Sequence, residues 1–311
     1  MPCYRPLTGY YAREVNDTGK RSIVFSADKA LVDVPVQVPC GRCIGCRLDR
    51  SRDWALRCVH EASLYEANCF VTLTFDEKFV GDGSLKVSDF QNFMKRLRQA
   101  IKPLRVRFFH CGEYGAKFSR PHHHACLFGY DFPDKVLFKS GSSPLYTSEM
   151  LSKLWPFGFS TVGKVTFESA AYVARYVMKK WSKDNLEGDD LYDAMRALSD
   201  DAYKALYYGD RHEEYITMSR RPGIGSAWYD KFSSDIYPSG FDLLNGKKVP
   251  LPKFFDSRFE FDNFVGYAKM KCERIARAQE DTNNSKSRLA VRELVKLDNS
   301  KKLIRGYEDG Y

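Results

Sequence analysis

The chain has 311 residues, 49 Lys and Arg against 40 Asp and Glu, a net charge of +9, and 14% aromatic residues. That length supports a real core in one elaborated domain or two, and so many aromatics exclude a disordered chain. The basic surplus favours a polyanionic partner, although an ordinary basic soluble protein carries the same balance. No apolar run approaches a membrane span, and Met1 to Pro6 lack the apolar stretch of a signal peptide, so a soluble, intracellular protein is expected. Nine cysteines, an odd number, argue against a secreted disulfide framework.

Residues 1–46 read as irregular with short strands at Ser22–Phe25 and Leu31–Val38. Cys40-Gly41-Arg42-Cys43-Ile44-Gly45-Cys46 holds two overlapping C-x2-C steps. Such knuckles bring thiolates onto one ion, and the glycines permit the tight turn. Cys40, Cys43 and Cys46 are therefore candidate ligands of a structural Zn²⁺. Cys3 is the candidate fourth ligand, with Cys58 and His60 as competitors. An iron–sulfur cluster, or reduced thiols ahead of a helix, are the alternatives. Arg47–Tyr65 then has helical periodicity through Leu48, Ala55, Cys58, Val59 and Ala62. Phe70–Phe75 is a strand of β-branched and aromatic residues. Ser88, with Gln91 three positions later, makes a capping-box start to a second helix. Phe90, Phe93, Met94, Leu97 and Ile101 continue its spacing, and Pro103 ends it.

Leu104–His110 and His122–Phe128 read as two strands of a hairpin, with Glu113 just before a Gly-rich turn. Residues i and i+2 share a strand face, so His122 and His124 point the same way and His123 points the other. The hairpin brings Glu113 across to them. Two imidazoles and a carboxylate with open positions suit Mg²⁺, Mn²⁺ or a first-row metal better than a closed structural zinc site does. The plainer alternative is that the histidines are structural.

Pro133–Pro144 reads as a loop, followed by a helix at Met150 and a strand within Gly158–Val165. Glu168–Trp181 is helix-length and contains neither Gly nor Pro. Tyr172 and Tyr176 lie at i and i+4 on one helix face, and Lys179 and Lys180 extend it with positive charge. Tyrosine pairs at this spacing usually serve core packing, but two lysines are unfavourable to bury unpaired. Beside a metal, two phenols and an ammonium form a nucleophile set for a phosphodiester. A free phenol pKa of about 10 makes that electrostatic help necessary. An acidic stretch, Asp184–Asp190, and an amphipathic helix to Tyr207 follow. Ser219–Gly225 is a basic, Gly-rich loop in which Arg220 and Arg221 are candidate phosphate contacts; a solvated turn is the alternative. Residues 265–305 carry eleven Lys/Arg against five Asp/Glu and no Pro, which reads as basic helices on DNA or a fraying tail. No G-x-x-x-x-G-K-[ST] motif occurs, so no built-in helicase motor is expected.

The expected fold is α+β, a central antiparallel sheet with helices against one face. The expected division is a Cys-rich segment (1–64), a nuclease-type domain (65–225) and a basic helical C-terminal region (226–311). Pro39–Arg47 (PCGRCIGCR), Phe70–Phe75 (FVTLTF), Gly112–Gly115 (GEYG), Arg120–Gly129 (RPHHHACLFG) and Tyr172–Lys180 (YVARYVMKK) occur in specific order and spacing over most of residues 1–230. Together they resemble the two-tyrosine branch of the HUH endonuclease superfamily. The resemblance is closer to the rolling-circle replication initiators of microviruses of the gokushovirus type. One departure is His123, where that family usually has an aromatic or apolar residue. The resemblance implies an HUH-like sheet with His122 and His124 on a central strand and the tyrosine helix beside it. It also implies nicking of single-stranded origin DNA through a 5′-phosphotyrosine, later strand joining, and alternation of Tyr172 and Tyr176. Without a motor of its own, such an initiator recruits a host helicase and polymerase, in the host bacterial cytoplasm. A transposase or relaxase of a mobile element with the same chemistry, and a non-catalytic zinc-containing DNA-binding protein, are the alternatives.

Overall fold

The computed structural model describes residues 3–17, 19–115, 119–179, 199–237, 239–280 and 282–301. The chain forms two compact units, residues 1–49 with 278–305 and residues 50–277 with 306–311.

The smaller unit starts with three antiparallel strands, β1 (Leu7–Ala12), β2 (Ile23–Val24) and β3 (Ala30–Val38), in the order β2-β1-β3. Along β3, Val32, Val34, Val36 and Val38 alternate onto one face. The chain then enters α1 (Ile44–Ala62). Tyr4, Cys43, Ile44 and Leu289 make the small buried core of this unit.

The remaining elements follow in chain order: β4 (Asn68–Thr74), α2 (Val87–Ala100), β5 (Arg107–Tyr114), β6 (Pro121–Phe128), β7 (Val136–Lys139), β8 (Leu145–Thr147), α3 (Glu149–Leu154) and β9 (Ser160–Gly163). Then come α4 (Phe167–Lys179), α5 (Asp200–Tyr208), β10 (Tyr215–Met218), α6 (Ser226–Ile236) and a hairpin of β11 (Phe241–Leu244) and β12 (Lys247–Pro250). Last are α7 (Lys253–Asp262), α8 (Phe264–Glu280) and α9 (Lys286–Lys301), of which α8 and α9 carry a surplus of Lys and Arg.

Seven strands of the larger unit form one antiparallel sheet in the order β10-β5-β6-β4-β9-β8-β7. The sequence suggested helices against one face of this sheet; the structure covers both. On one face Phe70, Phe109, Cys111 and Cys126 pack with Ala55 and Cys58 of α1 and Ala170 and Val173 of α4. On the other, Val71, Leu73, Ala125 and Leu127 pack with Phe90, Phe93 and Leu97 of α2 and Leu151 of α3. The reason lies in β4, where Cys69 to Thr74 are all buried. A strand that is apolar on both faces needs cover on both.

Three further readings are corrected. The capping box at Ser88 does not form: α2 begins at Val87 with Lys86 as its cap and no side-chain cap bond. Leu85 is held just upstream, buried and donating its backbone N–H to Tyr114 Oη at 3.0 Å, which sets where the helix starts. The first hairpin strand runs from Arg107 to Tyr114 rather than ending at His110, so Glu113 lies inside the ladder. The Pro133–Pro144 loop contains β7, an edge strand whose four residues are all exposed. Asp184–Asp190 and the residues up to 198 lie outside the described residues. Among the described residues, no helix is long and apolar enough to cross a membrane.

Candidate active site and metal centre

β6 lies between β5 and β4, and its register fixes what faces what. Glu113 pairs with His122, Cys111 with His124, Thr72 with His124 and Thr74 with His122. Strand alternation then puts Glu113, His122, His124, Thr72 and Thr74 on the face covered by α4. Glu113 Oε1 lies 2.6 Å from His124 Nε2. The Tyr172 hydroxyl reaches from α4 and donates to the same Oε1 at 3.0 Å. Its ring stands edge-on to the His124 imidazole, with centroids 5.1 Å apart.

Both imidazoles are oriented from behind. His122 Nδ1–H donates to the Arg120 carbonyl at 2.6 Å, and Thr72 Oγ1 lies 2.9 Å from His124 Nδ1. With Nδ1 committed, Nε2 is the nitrogen left to meet an ion. Burial, then the neighbouring His124, push the His122 pKa below its ordinary value, which keeps the imidazole in the neutral form that ligates. Gly115 leaves the room His122 needs, since a Cβ there would sit 2.8 Å from His122 Cε1. The donor types and their supports therefore fit a divalent ion. Glu113 and His124 are in contact, whereas the rings of His122 and His124 lie parallel with centroids 6.3 Å apart. Among the described residues, only the cysteine quartet brings three or more His, Cys, Asp or Glu ligand atoms within 4.8 Å of one another.

Tyr176 and Lys179 lie on α4, with side chains outside the described set, and Lys180 lies outside the described residues. His123 faces the opposite side of the sheet, where its Nδ1 lies 3.2 Å from His110 Nε2, and His110 stacks on Phe90. Burial pushes the His123 pKa down to about 3 and that of His110 well below its ordinary value, so both sit in this core as neutral groups.

Arg220 and Arg221 are exposed on the loop between β10 and α6. The loop backbone is held at several points. Arg107 Nη2 donates to Pro222 O at 2.8 Å, Arg57 Nε to Ile224 O at 2.9 Å, and Gly225 N to Glu61 Oε2 at 2.7 Å. Glu61 is itself buried and pairs with Arg107 Nε at 2.6 Å. A fixed backbone with two free-standing guanidinium groups is a suitable phosphate contact. Thr72 and Glu61 went unrecognised in the sequence. The signal for Thr72 was the alternation of Thr72 and Thr74 within an otherwise apolar strand; Glu61 left none, because Arg107 and Gly225, the partners that define its role, are distant in sequence.

In the smaller unit, the sulfurs of Cys3, Cys40, Cys43 and Cys46 all lie within 4.8 Å of one another. Cys40 Sγ is 4.0 Å from Cys46 Sγ, and Cys43 Sγ is 3.9 Å from Cys3 Sγ. A tetrahedral zinc with Zn–S bonds of about 2.3 Å requires sulfurs about 3.8 Å apart. Backbone N–H groups of Cys40, Cys43 and Tyr4 donate to Cys3, Cys40 and Cys43 sulfurs at 3.2–3.3 Å. Burial pushes the Cys3 and Cys46 thiols up; at Cys40 burial acts the same way, but hydrogen bonds from the Cys43 and Arg42 amides and from the Cys3 and Cys43 thiols together bring the thiol below its ordinary pKa. Four sulfurs this close cannot all ionise without a cation to offset their charge, so the donor set fits a metal such as zinc. The competing ligands lie elsewhere: Cys58 is buried against the large sheet, and His60 Nε2 pairs with Asp242 at 2.8 Å.

A family model described as Replication-associated protein ORF2/G2P matches residues 68–181, the stretch from β4 through α4. The chain is 30% identical over 298 residues to the Replication-associated protein VP4 of Bdellovibrio phage phiMH2K, covering 90% of this chain and 85% of that one. It is 32% identical over 302 residues to the Replication-associated protein ORF2 of Spiroplasma virus 4, covering 89% and 87%. It is also 34% identical over 227 residues to the Replication-associated protein ORF4 of Chlamydia phage 1, covering 70% of this chain and 52% of that one. No solved structure matches. Similarity of this extent defines the class as phage replication-associated proteins. The chain belongs to that family, the rolling-circle replication initiators of microviruses that its motifs resemble.

Proposed function

We propose that this initiator nicks and later rejoins one strand of phage origin DNA through a tyrosine, on an HUH-type nuclease core. The observation that carries the reading is the 3.0 Å hydrogen bond from the Tyr172 hydroxyl to Glu113 Oε1, itself 2.6 Å from His124 Nε2. A phenol on the same face as two imidazoles and a carboxylate is a nucleophile beside a ligand set for a hard cation. Glu113, His122 and His124 would hold Mg²⁺ or Mn²⁺, and such an ion supplies Lewis-acid polarisation of the scissile phosphate when bound.

In the nicking step the Tyr172 oxygen forms a bond to phosphorus and the bond to the 3′ oxygen breaks. The phenol proton leaves to solvent as this bond forms. Lys179 or Lys180 offsets charge on the leaving oxygen or protonates it, which releases a 3′-OH for a polymerase. The 5′ phosphate stays on the enzyme as a phosphotyrosine, so later joining needs no nucleotide energy. Tyr176, one helical turn along in the sequence, would make the second attack while Tyr172 is occupied.

Arg220, Arg221 and the basic C-terminal helices would contact the phosphate backbone, and Zn²⁺ on Cys3, Cys40, Cys43 and Cys46 would stabilise the N-terminal fold. On this reading residues 1–64, 65–225 and 226–311 divide the labour among zinc binding, chemistry and DNA binding. The protein works in the host bacterial cytoplasm with a host helicase and polymerase. Incubation with single-stranded origin DNA and Mn²⁺ followed by a denaturing gel tests the reading. A DNA-linked protein species is expected; retardation on native gels with no covalent species contradicts it.

A further inference from the structure

One carboxylate oxygen carries two loads in this site. Glu113 Oε1 meets His124 Nε2 at 2.6 Å and receives the Tyr172 hydroxyl at 3.0 Å. All three residues are only 2% exposed, so these contacts do not exchange freely with water. The Tyr172 ring is fixed as well, edge-on to His124 and with the Arg175 guanidinium 5.6 Å from its centroid. A carboxylate oxygen offers its lone pairs either to a phenol O–H or to a divalent cation. An oxygen shared with a cation is a weaker acceptor for the phenol, and the converse holds equally.

Resting on the metal assignment above, we propose that Tyr172 is a latch on the ion site: in the metal-free protein its hydroxyl holds the Glu113 carboxylate, and ion binding and release of the phenol are one coupled event. Coupling of this kind is reciprocal. Whatever weakens the phenol–carboxylate bond raises ion affinity, and the bound ion frees the hydroxyl to turn towards a phosphate. The nucleophile is thereby parked on a ligand until the ion is loaded, which keeps a metal-free enzyme from presenting a free phenol to DNA.

The test is Mn²⁺ affinity of the full-length protein without DNA, measured from the electron paramagnetic resonance of free Mn²⁺. Wild type, Tyr172→Phe, Glu113→Gln, Glu113→Ala and the Tyr172→Phe/Glu113→Ala double variant are compared. Tyr172→Phe keeps the buried ring and should bind Mn²⁺ about 2- to 10-fold tighter, the net worth of one hydrogen bond. In the Glu113→Ala background, where no acceptor remains for the hydroxyl, the same substitution should change nothing. Unchanged or weaker binding by Tyr172→Phe, with Glu113→Gln still lowering affinity, overturns the latch and leaves the metal assignment standing. If Glu113→Gln has no effect on Mn²⁺ affinity, the metal assignment fails and the latch falls with it.

Discussion

Glu113 stands directly opposite His122 across the β5–β6 ladder. This register selects the face on which the chemistry sits. A slip of one residue in β6 would carry His122 and His124 to the α2 face and bring His123 under α4. The slip is opposed from both sides, because Cys126 and Leu127 are each buried, one in each core cluster.

The ligand set gives the first prediction. His124→Ala should lower nicking by at least about 100-fold with the fold intact, since loss of even a supporting group around a metal typically weakens a site about 10- to 100-fold. Thr72→Val, which removes the group behind His124 Nδ1, should weaken Mn²⁺ binding by about 10-fold or more. Glu113→Gln should be partly rescued by excess Mn²⁺. Full nicking by His124→Ala in the presence of chelator removes the site from the mechanism.

The paired tyrosines separate single nicking from replication. Tyr172→Phe or Tyr176→Phe alone should leave single nicking possible through the remaining phenol, because Cβ atoms one turn apart are about 5–6 Å from one another. Each single variant should fail repeated rounds on a circular template. The double variant should still bind DNA and form no adduct. Normal repeated rounds by either single variant contradict alternation while leaving the nuclease reading in place.

For the cysteine quartet, elemental analysis of protein purified without added metal should find about one zinc per chain, as a closed tetrahedral site requires. A Cys40/Cys43/Cys46 triple serine variant should lose that zinc and melt earlier, with a smaller loss of intrinsic nicking. Unchanged zinc content in the triple variant refutes the assignment.

Glu61 should dominate the stability of the basic loop. Glu61→Ala removes the partner of Arg107 Nε and of the buried Gly225 N–H at once. Breaking one side of a buried ion pair destabilises by about 3–5 kcal/mol. Denaturant unfolding should show a loss of that order; an unchanged midpoint contradicts the role. Arg220→Ala and Arg221→Ala, by contrast, should leave stability alone and each lower the salt slope of DNA binding by about 1.

How much of this was legible in the sequence depended on the reach of each interaction. Strand alternation identified the shared face of His122 and His124, and the helical i, i+4 spacing put Tyr172 and Tyr176 on one helix. The knuckle spacing named three cysteines, while Cys3 followed only from a shortage of other candidates; its sulfur does lie in the cluster. The two-sided cover of the sheet was partly signalled by the apolar run of β4, but Thr72 and Thr74, which alternate along it, read locally as a solvent-facing side until α1 and α4 are seen to cover that face. The edge strand β7 was missed because its residues are exposed and only pairing with β8 makes them a strand. The roles of Thr72 and Glu61 depend on contacts 52 and 164 residues away in sequence, to His124 and Gly225 respectively, which no local pattern encodes.

The central claim is that a tyrosine of α4 carries the DNA strand. Mass spectrometry of peptides from a trapped adduct, formed on single-stranded origin DNA with Mn²⁺, tests it most directly. The account predicts a peptide spanning Tyr172 and Tyr176 joined through one of these phenols to a 5′ phosphate. An adduct on any other residue, or one joined to a 3′ phosphate, contradicts it.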